Sequence, residues 1–403
     1  MPRWMSQIFP PDPPLNPMVF SRRPVVHRFW LGGMMAATVG FGLGFLLWSW
    51  QQGILPADVL YPQARLWHAR IQIVWFLGSF LLGFALQSGP HVVGGTPPAA
   101  RSVLRLLLLL QVGFVLSLFD GWLEVVGNGL VSMAYLGAVH VLWHIARTGD
   151  PARRLSRGIP LTVSFLPMAV APWLALDNAG LALWVLWCGP VTTSLVAGQQ
   201  LIQNVLGGTF LQGSVGRLFA GSLLVAWILS TLASLGVVSS WQWAAGAWLA
   251  VLLFLAGGTQ FPQAVRRSGF SAMTVTLTVG FTIAFASALW LAWPGESNPP
   301  LDGAVHLLGA GTLTLFILGV AARVAGFFSG VMVLNDRLLC YLLLLWAMVA
   351  LARVGTALAW HPGRMGLIAL MLTGSTLLLL WSVRMAVCLR RISRKITPEL
   401  LDR

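Results

Sequence analysis

Seven histidines are the residues best suited to chemistry in this 403-residue chain, and their positions relative to long apolar runs divide them into two sets. His68, His306 and His361 fall at one end of the runs they accompany, whereas His27, His91, His140 and His144 fall at or near the other. His68 and His306 each open an apolar run directed the same way, which places their imidazoles at comparable depth. Two imidazoles offered by separate helices are what a haem iron takes on its two faces, and they also suit a copper ion near a membrane boundary. The alternative is that each sits in the interfacial belt beside Trp67 or near Trp293, bonded to water and ligating nothing. His140 and His144 stand four residues apart on one helical face, a spacing that can hold a metal ion. Val141, Leu142 and Trp143 between them supply no acidic partner, so this pair is expected to pack into the core near the inner end of its helix.

A charge inside an apolar run must be paired, be functional, or reach the head groups. Arg70, Arg323 and Arg353 are such residues. Arg70, two residues from His68, is expected to bond a haem propionate, or else Asp58 or Asp302. Without haem, His68 and His306 are expected to be joined through water or a hydrogen bond to Asp302. The polar clusters "TTSLVAGQQLIQN" (Thr192 to Asn204), "SAMTVTLTVGFT" (Ser271 to Thr282) and "GAGTLTL" (Gly309 to Leu315) read as places of close helix approach. Gln199, Gln200, Gln203 and Asn204 exceed that need and suit an inner cavity or a partner subunit. Cys188, Cys340 and Cys388 form no CxxC pair and read as small buried hydrophobes. Neither a phosphate-binding glycine loop nor a nucleophile–base pair is visible.

The elements that position these residues follow from composition. With 57% hydrophobic and 9% charged residues, a water-soluble core could not absorb the apolar side chains, and the chain needs lipid as a second solvent. The net charge of +14 lies in short loops, where arginines orient the chain and meet anionic head groups; nucleic-acid binding is excluded on that ground. The fold class expected is an all-α transmembrane bundle of about twelve helices, near 28–50, 70–87, 103–119, 122–146, 159–176, 180–201, 216–237, 241–262, 271–293, 303–325, 337–359 and 365–389. A count of eleven results if the Asp120–Gly121 turn does not separate the third from the fourth. Arginines concentrate on alternate connections while Asp58, Asp120, Glu124, Asp177, Glu296 and Asp302 occupy the others, which puts both termini in the cytoplasm. Residues 1–26 then form a proline-rich cytosolic tail, 27–392 the membrane domain, and 393–403 a second tail.

Two segments carry a family resemblance. "LWHARIQIVWFLGSFLLGF" resembles the early Trp-His-x-His-Glu helix of the NnrS family, bacterial twelve-helix membrane proteins that bind haem and copper and are linked to nitric oxide metabolism. "HLLGAGTLTLFILGVAARVAGFFSG" resembles that family's late segment, a histidine followed by glycines, an arginine and Gly-His-Thr-Gly-Arg. His68, His306, Gly311, Arg323 and Gly330 stand at the matching positions. Arg70 and Ile71 replace the family's second histidine and glutamate, and Phe327 to Val331 replace Gly-His-Thr-Gly-Arg. The resemblance thus implies a divergent member of the bacterial inner membrane with at most one metal centre, haem rather than copper, held by His68 and His306 with Arg70 nearby.

Three functions fit this reading. The first is a haem protein acting in nitric oxide tolerance or respiratory electron transfer. The second is a metal-free subunit that anchors a larger membrane complex, and the 20 tryptophans and 21 phenylalanines favour association with other membrane subunits in either case. A transporter is the third, disfavoured because Asp and Glu are confined to loops and helix ends.

Overall fold

The computed structural model describes residues 26–56, 61–237, 241–293, 301–357 and 363–401, and every regular element among them is helical. Asp58, Glu296, His361 and nearly all of the N-terminal tail lie outside the described residues. The helical segments are α1 (Val26–Gln51), α2 (Tyr61–Val93), α3 (Ala100–Leu116), α4 (Trp122–Thr148), the segmented α5 (151–173) and α6 (Ala179–Leu206). They continue as α7 (Gly213–Ser234), α8 (Gln242–Gly258 and Phe261–Ser268, meeting at 53°), α9 (Ala272–Ala292), α10 (Leu301–Ser329), α11 (Asp336–Ala357) and α12 (Gly363–Leu401). Among the described residues nine are long and apolar enough to cross a bilayer, or ten if the bent α8 is one span.

Local sequence explains the two segments left out of that count. The seventeen residues of α3 rise about 26 Å, slightly less than the roughly 30 Å hydrocarbon core. It is separated from α4 by a turn in which Gly121 takes a φ of 75°, a conformation glycine adopts without strain. The run expected as one helix over 159–176 is instead a chain of short pieces. Pro160, Pro167 and Pro172 each stand in the first turn of a piece, where a missing N–H is harmless, and each ends the piece before it. At the other extreme, α12 continues to Leu401, through the boundary expected at 393.

Three helices form the centre. α2, α6 and α10 are spaced four apart in the chain, are the most buried of the spans, and each contains a π-helical stretch: Ile71–Leu77, Trp187–Val191 and Leu307–Leu313. A π turn frees backbone carbonyls that lipid cannot satisfy, so side chains must. Tyr135 donates its hydroxyl to the Val74 carbonyl, Thr192 to that of Trp187, and Trp346 its indole N–H to that of Ala310. Each wide turn is thereby held by a neighbouring side chain, at the level where the three helices meet.

Candidate functional site

His68 and His306 both line one cavity at the α2–α10 junction. Because α2 begins at Tyr61 rather than near 70, His68 lies about two turns inside its helix. His306 lies in the last position before the π turn of α10. The ends of α1 and α11 and the starts of α2, α6 and α10 frame the cavity, contributing Gln51, Arg353, Arg65, Asp177 and Asp302. Trp346 and Phe41 close it from the side, their rings edge to face at 4.9 Å.

Both imidazoles are oriented in the same manner. His68 Nδ1 lies 2.9 Å from the Gly40 carbonyl of α1, and His306 Nδ1 lies 2.8 Å from the Asp302 carbonyl one turn before it. A carbonyl only accepts, so each Nδ1 carries the proton and each Nε2 keeps its lone pair. Metal-bound histidines are commonly held by such an Nδ1–H bond to a backbone carbonyl. The seat of His68 is built from small residues. A Cβ on Gly44 would stand 2.7 Å from His68 Cε1, so only glycine lets α1 come this close to the ring. The Asp302 carboxylate, 3.5 Å from His306 Nδ1, is held in turn by Arg353 at 3.0 Å.

Arg70 is directed elsewhere. Two residues along a helix turn a side chain by about 200°, so Arg70 leaves α2 on the side opposite His68. It is buried there, 2.7 Å from Glu124 of α4, and the arginines on the cavity wall are Arg65 and Arg353. Asp302, one of the partners expected for Arg70, belongs to Arg353. Replacing Glu124 by alanine strands a buried guanidinium and is expected to destabilise the protein by about 3 kcal/mol, read as a lower Tm in detergent. Glu124→Gln, which retains a hydrogen-bond acceptor, should recover part of the loss.

The remaining described histidines do not line this cavity. His140 and His144 are exposed, contrary to the expected core position: the buried face of α4 carries Val131, Ala134, Tyr135, Ala138, Leu142 and Ile145, and the two histidines lie on the other. His27 is buried and shares a 2.7 Å hydrogen bond between Nε2 and Ser393 Oγ, joining α1 to α12. All three cysteines are buried thiols. Several residues of the site were not singled out from the sequence: Gly40, Gly44, Arg65, Gln72 and Trp48. For four of them the signal is spacing alone, a Gly-x-x-x-Gly pair in α1 and positions three before and four after His68, and Trp48 follows Gly44 by one helical turn.

Among the described residues no three His, Cys, Asp or Glu side chains gather as a metal-binding group. Two imidazoles are too few for a bare copper or zinc ion but are sufficient for a haem, which brings its own ring nitrogens. Trp48 and Gln72 of the cavity wall also each hold a buried N–H donor with no protein partner. No curated protein matches the chain. The family description "NnrS protein" matches residues 26–393, a span that includes every residue of this cavity, and the chain belongs to the NnrS family.

Proposed function

We propose that the protein is a haem-binding, multi-pass protein of the bacterial cytoplasmic membrane, in which His68 and His306 would hold the haem iron. The observation that carries this reading is that both rings commit Nδ1 to a backbone carbonyl and keep Nε2 available on the wall of one cavity. Arg65 and Arg353 supply cations at the same wall, and they take the propionate role assigned from sequence to Arg70. A haem held by these residues would supply a one-electron couple, which suits the respiratory electron transfer or nitric oxide tolerance implied by the family resemblance. An optical spectrum of the purified protein, oxidised and reduced, tests it. A Soret band that sharpens on reduction is expected; its absence after expression with ample haem supply would favour the metal-free anchoring subunit instead.

The topology belonging to this reading is twelve membrane helices with both ends in the cytoplasm. In support, Trp122, Trp243 and Trp293 are exposed at the starts of α4 and α8 and the end of α9, as in an interfacial aromatic belt. Arg147, Arg217, Arg266, Arg267 and Arg337 lie at the other ends of the helices. A reporter fused after Arg403 is expected to act as cytoplasmic and one placed near Asn298 as extracytoplasmic; the reverse would overturn the orientation. α7 and α12 are the least buried spans, and we place the contact with other membrane subunits on them. Mild-detergent purification that yields only monomer would count against that contact.

A further inference from the structure

A second cavity lies deeper along the same three helices. Its walls are Trp30 of α1, Phe80 and Phe84 of α2, Gly198 of α6, Phe281 of α9 and Phe316 of α10. On α2 it begins about one turn beyond Leu77, which lines the histidine cavity, and on α6 and α10 about two turns beyond Leu186 and Ala310. No charged residue lines it.

Its polar groups are largely committed already. The Trp30 indole donates to the Phe80 carbonyl at 3.3 Å. Thr193 Oγ1 and Ser164 Oγ share a 2.7 Å bond, and Ser164 donates onward to the Leu161 carbonyl at 2.8 Å. Ser194 is the one further hydroxyl on the wall. A water molecule needs two to four partners to reside in a cavity, and a charged or strongly polar ligand needs more than one hydroxyl in compensation.

The walls are also braced against collapse. Gly280 leaves room for the Phe316 ring, which a Cβ there would overlap, and Phe281 meets that ring edge to face at 5.2 Å. Phe80 is fixed among Trp30, Phe76 and Trp381, with ring centroids 6.3, 5.6 and 6.0 Å away.

We propose that this chamber binds a small, uncharged, apolar molecule that reaches the protein by dissolving in the bilayer. The site owes nothing to His68 or His306, so it stands or falls apart from the haem reading. Xenon is a suitable probe, because dry apolar cavities take it up. The full chain in lipid nanodiscs is expected to show saturable xenon binding by ¹²⁹Xe chemical shift. At Gly198 an added Cβ would lie 3.5 Å from Phe281 Cζ, an ordinary contact, so the longer side chain of Gly198→Leu reaches across the opening toward Phe281. That variant, and independently Val320→Phe on the α10 wall, should weaken xenon binding at least tenfold, whereas His140→Ala, exposed on α4, leaves it unchanged. If Gly198→Leu fails to fold, Val320→Phe alone decides. Absence of saturable binding in the native chain, binding that survives substitution in every variant that folds, or cryo-EM density for a lipid acyl chain filling the chamber would overturn the proposal.

Discussion

Alanine at His68 or at His306 is expected to remove the haem spectrum, each substitution lowering haem occupancy at least about tenfold. Loss of a group that merely orients a metal ligand costs about 10- to 100-fold in affinity, and loss of the ligand itself costs no less. Unfolding is a poor alternative explanation for such a result. Each histidine makes one hydrogen bond to a backbone carbonyl on a half-buried wall, a contribution of about 1 kcal/mol. The apoprotein should therefore keep its helix content and most of its thermal stability. Imidazole added to His68→Ala should restore a six-coordinate spectrum, because the substitution leaves a ring-sized gap facing the same cavity. His140→Ala and His144→Ala, exposed on the far face of α4, should bind haem as the native chain does. Native spectra from both His68→Ala and His306→Ala would refute bis-histidine ligation.

The contrast between His68 and Arg70 shows what could be read before the fold was known. Both are unusual residues in an apolar run, and proximity in sequence suggested one shared site. A helix separates such neighbours: positions two apart face opposite ways, whereas Arg65 and Gln72, three before and four after His68, share its face. The start of α2 was hidden for a related reason, since Tyr61–Arg70 is a polar, arginine-bearing stretch that docks against α1 and the turn before α6. His140 and His144 illustrate the weakness of amphipathic reasoning in membranes. A helix that faces lipid on one side and protein on the other is apolar all round, so the pattern that reveals a buried face in water is erased. The all-helical, membrane-spanning class was easier to read because a 20-residue apolar run has few other uses. Segmentation of α5 was signalled by its prolines, although their effect on continuity depends on whether neighbours satisfy the freed carbonyls.

Gly44→Leu is expected to cost haem binding as severely as loss of a ligand, although Gly44 would never touch the iron. Any Cβ at this position comes within 2.7 Å of His68 Cε1 and 3.2 Å of its Nδ1, so the imidazole must rotate away or α1 must move outward. Either response breaks the 2.9 Å bond to the Gly40 carbonyl, frees the Nδ1 proton and turns Nε2 from its present place on the cavity wall. Overcrowding of this kind costs about 1–3 kcal/mol in stability, which lowers Tm without unfolding the bundle. Gly42, two residues earlier on the same helix, is the control. It is exposed, a Cβ there meets nothing within 4 Å, and Gly42→Leu should leave the spectrum unchanged and gain up to about 1 kcal/mol of helix propensity. The pair of variants separates the seat of the ligand from a general need for flexibility in α1: equal loss of haem from both would point to flexibility, and loss from Gly44→Leu alone to a ring held in place by the absence of one carbon atom.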